Sequence, residues 1–239
     1  MIIIESKKKK AESILRSYPG AIVCDVTSKA RDGLVKLSPF YPHGDIPVPF
    51  SEGWTAVCVE AVWQGLKVFE HADIDTALFR NDTMRNIKRT SRRFGRPLGH
   101  RKGVGGSELL GYIEARQQIY IPTYRWMLEH KVMNIIERLR RAAKEKTIVL
   151  LDYNTNCDVD DPTKPLSHAY LVKAYAEGLY PYNDVKTVAG DDSAQASSVD
   201  RHGEEQPRRK SAAKKRGRGG RRDDGAVQPD LFDDNNLTT

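Results

Sequence analysis

Large apolar residues become scarce from about Val185 onward, and Gly, Ser, Asp, Lys and Arg take over to the end of the 239-residue chain. A segment of that composition cannot bury enough surface to offset its ordering entropy, so any core must be built by residues 1–184. Residues 185–239 are therefore expected to form a disordered basic tail. The folded part is long enough for one well-buried domain.

Within residues 1–184, "IIIES", "AIVCDVTS" and "TIVLLDY" have the β-branched or continuously apolar character of strands, the last of them a buried one. "KKKKAESILRSY", stopped by Pro19-Gly20, predicts a helix between the first two strands. Prolines at 39, 42, 47 and 49 predict an extended loop. Helical spacing then runs through Ala56–His71 and returns after Asp73. A long stretch from Glu108 to Lys146 is also helical, kinked or divided at Pro122, and a last helix, "LSHAYLVKAYAEG", follows. The expected fold class is α+β, mainly helical with a small β-sheet, as one domain.

Charge and cysteine usage narrow the setting. The net charge of +7 is concentrated in "KRTSRRFGRPLGHRKG" (Lys88–Gly103) and "RRKSAAKKRGRGGRR" (Arg208–Arg222), which points to an anionic partner. No run approaches the roughly 20 apolar residues of a membrane span. Cys24, Cys58 and Cys157 form no C-x-x-C pair, which fits a reducing compartment, and the cytoplasm is the expected location.

Candidate chemistry begins in "AVCVEAVWQGLKVFEH" (Ala56–His71), where Glu60, Gln64, Lys67 and His71 fall in one sector at 100° per residue, with Trp63 at its edge. Periodicity alone reads this as the solvated stripe of an amphipathic helix. The acidic loop "NTNCDVDDPTKP" mimics a calcium loop but has Cys157 for the turn glycine and Thr163 for the bidentate glutamate. Asp152, Asp158 and Asp160 leave a metal-dependent nuclease open. His168 reads as a structural or a catalytic imidazole, and Arg101 and Lys102 in "GHRKGVGG" suit a phosphate.

Taken in order, "LSPFYP" (Leu37–Pro42), "VEAVWQGLKVF" (Val59–Phe69), "FGRPLGHRK" (Phe94–Lys102) and "DYNTNCDVDD" (Asp152–Asp161) resemble the motifs of the NADAR (YbiA-like) superfamily. The chain looks like a distant branch: Pro39 replaces the loop Asn, Ala61 the motif His, and "SHAYL" the late Asn-x-Leu-Gly turn. The resemblance implies a NADAR-like catalytic domain over residues 1–184 that cleaves an N-glycosidic bond to ribose. Hydrolysis of riboflavin-pathway intermediates and removal of ADP-ribose from guanine, as antitoxin to DarT-type transferases, are both known in that superfamily.

Carried over, Glu60, Lys67 and Asp158 are the catalytic candidates. Glu60 stands near C1′, Lys67 is a nucleophile, and Asp158 is the proton source at the base. Tyr41, Trp63, Gln64, Arg96, Arg101 and Lys102 are the substrate-binding candidates. No cofactor or metal is called for. In the tail, "QPDLF" (228–232) resembles the Gln-x-x-Leu-Phe peptide that docks on bacterial sliding clamps, with Gln228, Leu231 and Phe232 as contacts. The leading expectation is removal of ADP-ribose from modified guanine in nucleic acid; the alternatives are a non-catalytic nucleic-acid-binding accessory protein and the nuclease.

Overall fold

The computed structural model describes residues 1–182. Their secondary structure begins with β1 (Ile2–Ser6), α1 (Ala11–Ser17) and β2 (Ile22–Asp25). After a 3-10 turn at Gly33–Leu37 come β3 (Ile46–Pro47), β4 (Thr55–Ala56), α2 (Val59–Gly65) and β5 (Lys67–Phe69). A second 3-10 turn at Thr76–Arg80 leads to α3 (Ser91–Phe94), β6 (Pro97–Arg101) and β7 (Leu109–Leu110). The remainder is α4 (Tyr112–Ala115), a π-helical stretch at Arg116–Tyr120, α5 (Ile121–Lys131), α6 (Met133–Glu145), β8 (Ile148–Asp152) and α7 (His168–Ala176). This is an α+β domain.

The opening strand, helix and strand and the late buried strand stand where the sequence places them. β8 lies between β1 and β2 in a parallel sheet, with Ile2 and Ile22 both in register with Ile148. All five residues of β8 are buried, because both faces of the sheet are covered. Val149 and Leu151 face Ile14 of α1 and Ala21, whereas Ile148 and Leu150 face the main core with Ile121, Leu128, Leu139 and Val172 of α5, α6 and α7. Two antiparallel sheets, β3-β4 and β5-β6-β7, complete the strands among the described residues.

Three expectations are corrected. The helix read through Ala56–His71 ends at Gly65, and Lys67 opens a strand paired with His100. Gly65 lies against the Phe79 ring, so a Cβ there would sit 2.3 Å from Phe79 Cε1. The region after Asp73 holds only the short turns at Thr76–Arg80 and Ser91–Phe94, since its apolar residues are too few to bury a longer helix face. Pro122 does not divide the long helix. It falls in the first turn of α5, directly after the π-helical stretch, and the chain breaks instead at the buried Val132 (φ −138°, ψ 23°).

Candidate active site

Glu60 lies in the first turn of α2, a helix capped by the Cys58 sulfur, which accepts from Ala61 N at 3.3 Å. Its main-chain N–H donates to Pro39 O at 2.8 Å and so draws the proline-rich loop over the helix start. The side chain is only 7% exposed, and its Oε1 accepts from Gln64 Nε2 at 2.9 Å. Gln64 in turn accepts from Arg89 N through Oε1 at 3.1 Å. The stripe read as solvated is therefore buried at Glu60 and Gln64 and half-buried at Lys67. It forms one wall of a cavity of about 360 Å³ to which Glu60, Trp63, Gln64 and Lys67 all contribute.

The pKa values of the acid and the amine of this wall shift toward one another. Burial raises the Glu60 carboxyl above its ordinary value, against the opposing effects of the Gln64 hydrogen bond and the charges of Lys88, Lys67 and His168. Burial lowers the Lys67 ammonium, and the nearby charges of Arg89 and Lys88 lower it further, while Glu60 opposes them. Lys67 Nζ stands 5.5 Å from the Trp63 ring centroid. Trp63 is itself held by His100, whose ring lies at 3.7 Å, and by edge contacts to Tyr112 and Tyr120.

The opposite wall comes from the carboxyl end of β8 and the start of α7. Asp152 ends the central strand and collects four donors: Tyr153 N at 2.6 Å, Ser167 Oγ at 2.8 Å, His168 Nδ1 at 3.0 Å and Ala169 N at 3.4 Å. Burial would raise its carboxyl, but the His168 hydrogen bond and charge, with the Ser167 and Ala169 donors, bring it down to about 2. His168 Nε2 lies 2.8 Å from Val26 O, so both ring nitrogens face acceptors and only the imidazolium satisfies both. Burial opposes that charge, yet Asp152 and Val26 O raise the His168 pKa above its ordinary value. Asp152 and His168 are thus a fixed ion pair.

The basic residues of the wall differ from those expected. Lys88 and Arg89 line the cavity, and the Arg89 guanidinium lies 4.9 Å from the rings of both Phe69 and Phe94 while donating to Lys67 O and to Asp73 O. Arg116, 2% exposed, also lines it. Its Nη1 donates to Val159 O at 2.8 Å, Asp161 O at 2.9 Å and Asp158 O at 3.4 Å, and its Nη2 to Lys164 O at 2.8 Å.

Arg96, Arg101 and Lys102 are absent from the wall. Each is engaged by a carboxylate: Arg96 by Glu70 at 3.3 Å, Arg101 by Asp73 at 2.9 Å and Lys102 by Glu108 at 2.9 Å. Tyr41 packs on His43 at 4.8 Å, and its neighbour Phe40 takes the wall position. Asp158 is exposed in its loop, where its carboxylate accepts from Asp160 N at 2.9 Å, so the late acid on the wall is Asp152. His71 is exposed. Gln228, Leu231 and Phe232 lie outside the described residues.

Sequence reasoning missed Lys88, Arg89, Arg116, Tyr120 and the pairing of Asp152 with His168. One signal for Asp152 was available: it closes the most apolar strand, and ligands of parallel sheets sit beyond the carboxyl ends of strands. Among the described residues no three His, Cys, Asp or Glu side chains are grouped to hold a metal ion, and Asp152, Asp158 and Asp160 do not converge. No curated protein matches the chain. The model of a family described as a family of unknown function (DUF6939) matches residues 6–172, a span that contains every residue of the cavity wall, and the chain belongs to that family.

Proposed function

We propose that the protein is an N-glycosidase with a NADAR-like fold that removes ADP-ribose from modified guanine in nucleic acid. The observation that carries this reading is the convergence of buried Glu60 and half-buried Lys67 on one cavity, with desolvation shifting each toward its neutral form. Substitution at C1′ of a ribosyl base needs a proton donor and an amine nucleophile, and the two shifts run in the directions that favour those roles. The cavity volume falls in the range of roughly 300–1,000 Å³ typical of small-molecule sites. Trp63, Tyr112 and Tyr120 supply ring faces for a base, and Lys88 and Arg89 take over the phosphate-holding role first given to Arg96, Arg101 and Lys102.

In this mechanism the Lys67 amine bonds to C1′ as the C1′–N bond to the base breaks. Glu60 gives its proton to the departing base and, as a carboxylate, takes one from the lysine nitrogen. The C1′–O4′ bond then opens, the proton passes from Glu60 to O4′, and a protonated imine to Lys67 remains. Water hydrolyses the imine, releasing the sugar aldehyde and free lysine. Asp158, placed in its exposed loop, has no step, and Asp152 holds His168 rather than transferring a proton.

Glu60→Gln and Lys67→Ala are each expected to lower release of ADP-ribose from modified DNA by about 10²-fold or more with an unchanged circular dichroism spectrum. Borohydride added during turnover should leave a reduced sugar adduct on Lys67, visible by mass spectrometry. Near wild-type rates in both variants would end the proposal. An unreactive wild type that still binds modified DNA would favour the non-catalytic accessory protein instead.

A further inference from the structure

Arg116 is a buried cation that, among the described residues, no carboxylate hydrogen-bonds; its charge reaches the Asp161 carboxyl only as the last of several influences that lower it. Its guanidinium is held by four main-chain carbonyls of residues 158–164, and among the described residues no acidic side chain accepts from it. Asp161, whose carbonyl is one of the four, uses its own carboxylate on the main-chain and side-chain donors of Thr163. The other buried cation of the wall, His168, is neutralised by Asp152. Carbonyl dipoles orient Arg116 but do not cancel its positive charge.

The same hydrogen bonds leave donors over. Nη1 shares its two hydrogens among three acceptors and Nη2 uses one of its two, so one Nη2 hydrogen and Nε–H have no acceptor among the described residues. Arg89 Nε is sealed without a partner, whereas Arg116 Nε is not, and Arg116 lines the cavity. One face of the guanidinium is covered by the Tyr112 ring at 4.7 Å. Tyr120, four residues on along the π-helical stretch, lines the cavity too, and its hydroxyl makes no hydrogen bond among the described residues. The π-helical turn sets these two residues on one wall.

We propose that Arg116 and Tyr120 form an anion subsite of the cavity that takes a phosphoryl group, with Arg116 Nε and Nη2 and the Tyr120 hydroxyl as its donors. A phosphoryl group is favoured over a carboxylate because its oxygens accept from a guanidinium fork and a hydroxyl together. Leaving aside Glu60 and Lys67, whose neutral forms burial favours, the lining carries Lys88, Arg89, Arg116 and His168 against only Asp152, an excess suited to a multiply charged ligand. The subsite does not depend on the glycosidase reading, since it concerns binding and not bond cleavage.

Inorganic pyrophosphate titrated into the full chain by calorimetry tests it directly, with acetate at equal ionic strength as the control. Saturable binding of pyrophosphate and none of acetate is expected. Tyr120→Phe removes a hydroxyl with no internal partner, so its melting temperature should stay that of wild type while the affinity falls about tenfold. Arg116→Lys, which keeps a charge but loses the fork, should weaken binding further. If Arg116→Lys fails to fold, Tyr120→Phe alone decides. Absence of saturable binding, equal binding of acetate, or an affinity untouched by Tyr120→Phe would each overturn the subsite. Loss of the subsite with ADP-ribose release intact would leave the glycosidase reading standing, and the reverse result would leave the subsite standing.

Discussion

His168 is committed through both ring nitrogens, to a carboxylate on one side and to a carbonyl on the other. Its folded pKa is raised, so the stability it contributes is complete below its unfolded value near 6.5 and is lost as pH rises through the higher folded value. Asp152 works in the opposite sense. With its folded pKa lowered, against burial, to about 2 by the His168 partner, it contributes stability above the unfolded value of 3.8 that is lost as pH falls through the folded one. The pair is intact between those limits. Chemical denaturation of wild type and His168→Gln at pH 6 and pH 9 should show a decline at high pH in wild type that the variant lacks. His43 and His100, both with lowered pKa values, contribute with the opposite sign and are common to both proteins. An identical decline in the variant would show that His168 is not the titrating group.

At the scale of elements, the join between α2 and β5 decides whether Glu60 and Lys67 meet. Helical periodicity carried Lys67 onto the face of Glu60 and Gln64, and Lys67 does share their cavity, but from the first position of a strand. Seven residues of helix followed by a strand bring the side chains to one side by tertiary packing, an outcome that a wheel drawn at 100° imitates. The β-branched and apolar strands around the central sheet were legible because burial on both faces leaves an unbroken apolar run. The basic residues were not. Arg96, Arg101 and Lys102 stand beside Lys88 and Arg89 in one charged stretch, and only the positions of Glu70, Asp73 and Glu108 decide which are neutralised outside the cavity.

The same join makes Gly65 a sensitive position. A methyl group there overlaps the Phe79 ring and approaches Asp75 O at 3.1 Å, so either the ring or the end of α2 must shift. Gly65→Ala is expected to lower stability by about 1–3 kcal/mol, read from the denaturant midpoint. Because Lys67 lies two residues on, it should also reduce turnover more than the stability loss alone explains. A variant as stable and as active as wild type would show that the join tolerates the shift.

For the molecule as a whole, the cavity draws its walls from Thr27 to His168, and the His168 ring reaches back 142 positions to Val26. The described wall therefore exists only when the domain is folded, since its residues come from distant parts of the chain. The Arg208–Arg222 run lies outside the described residues and adds cations to the chain. On the proposed reading two separable contributions are expected: recognition and cleavage by the cavity, and a charge-driven hold on polyanions by the basic run. Binding driven by phosphate neutralisation releases counterions and weakens linearly in log affinity with log salt. A chain ending at Tyr182 is accordingly expected to keep its melting temperature and its turnover of a short modified nucleotide. Its affinity for a long oligonucleotide should fall at least about tenfold at 50 mM salt, with a shallower salt slope than the full chain. Fluorescence anisotropy across a salt series measures both quantities, and equal slopes for the two chains would place the polyanion hold in the folded domain instead.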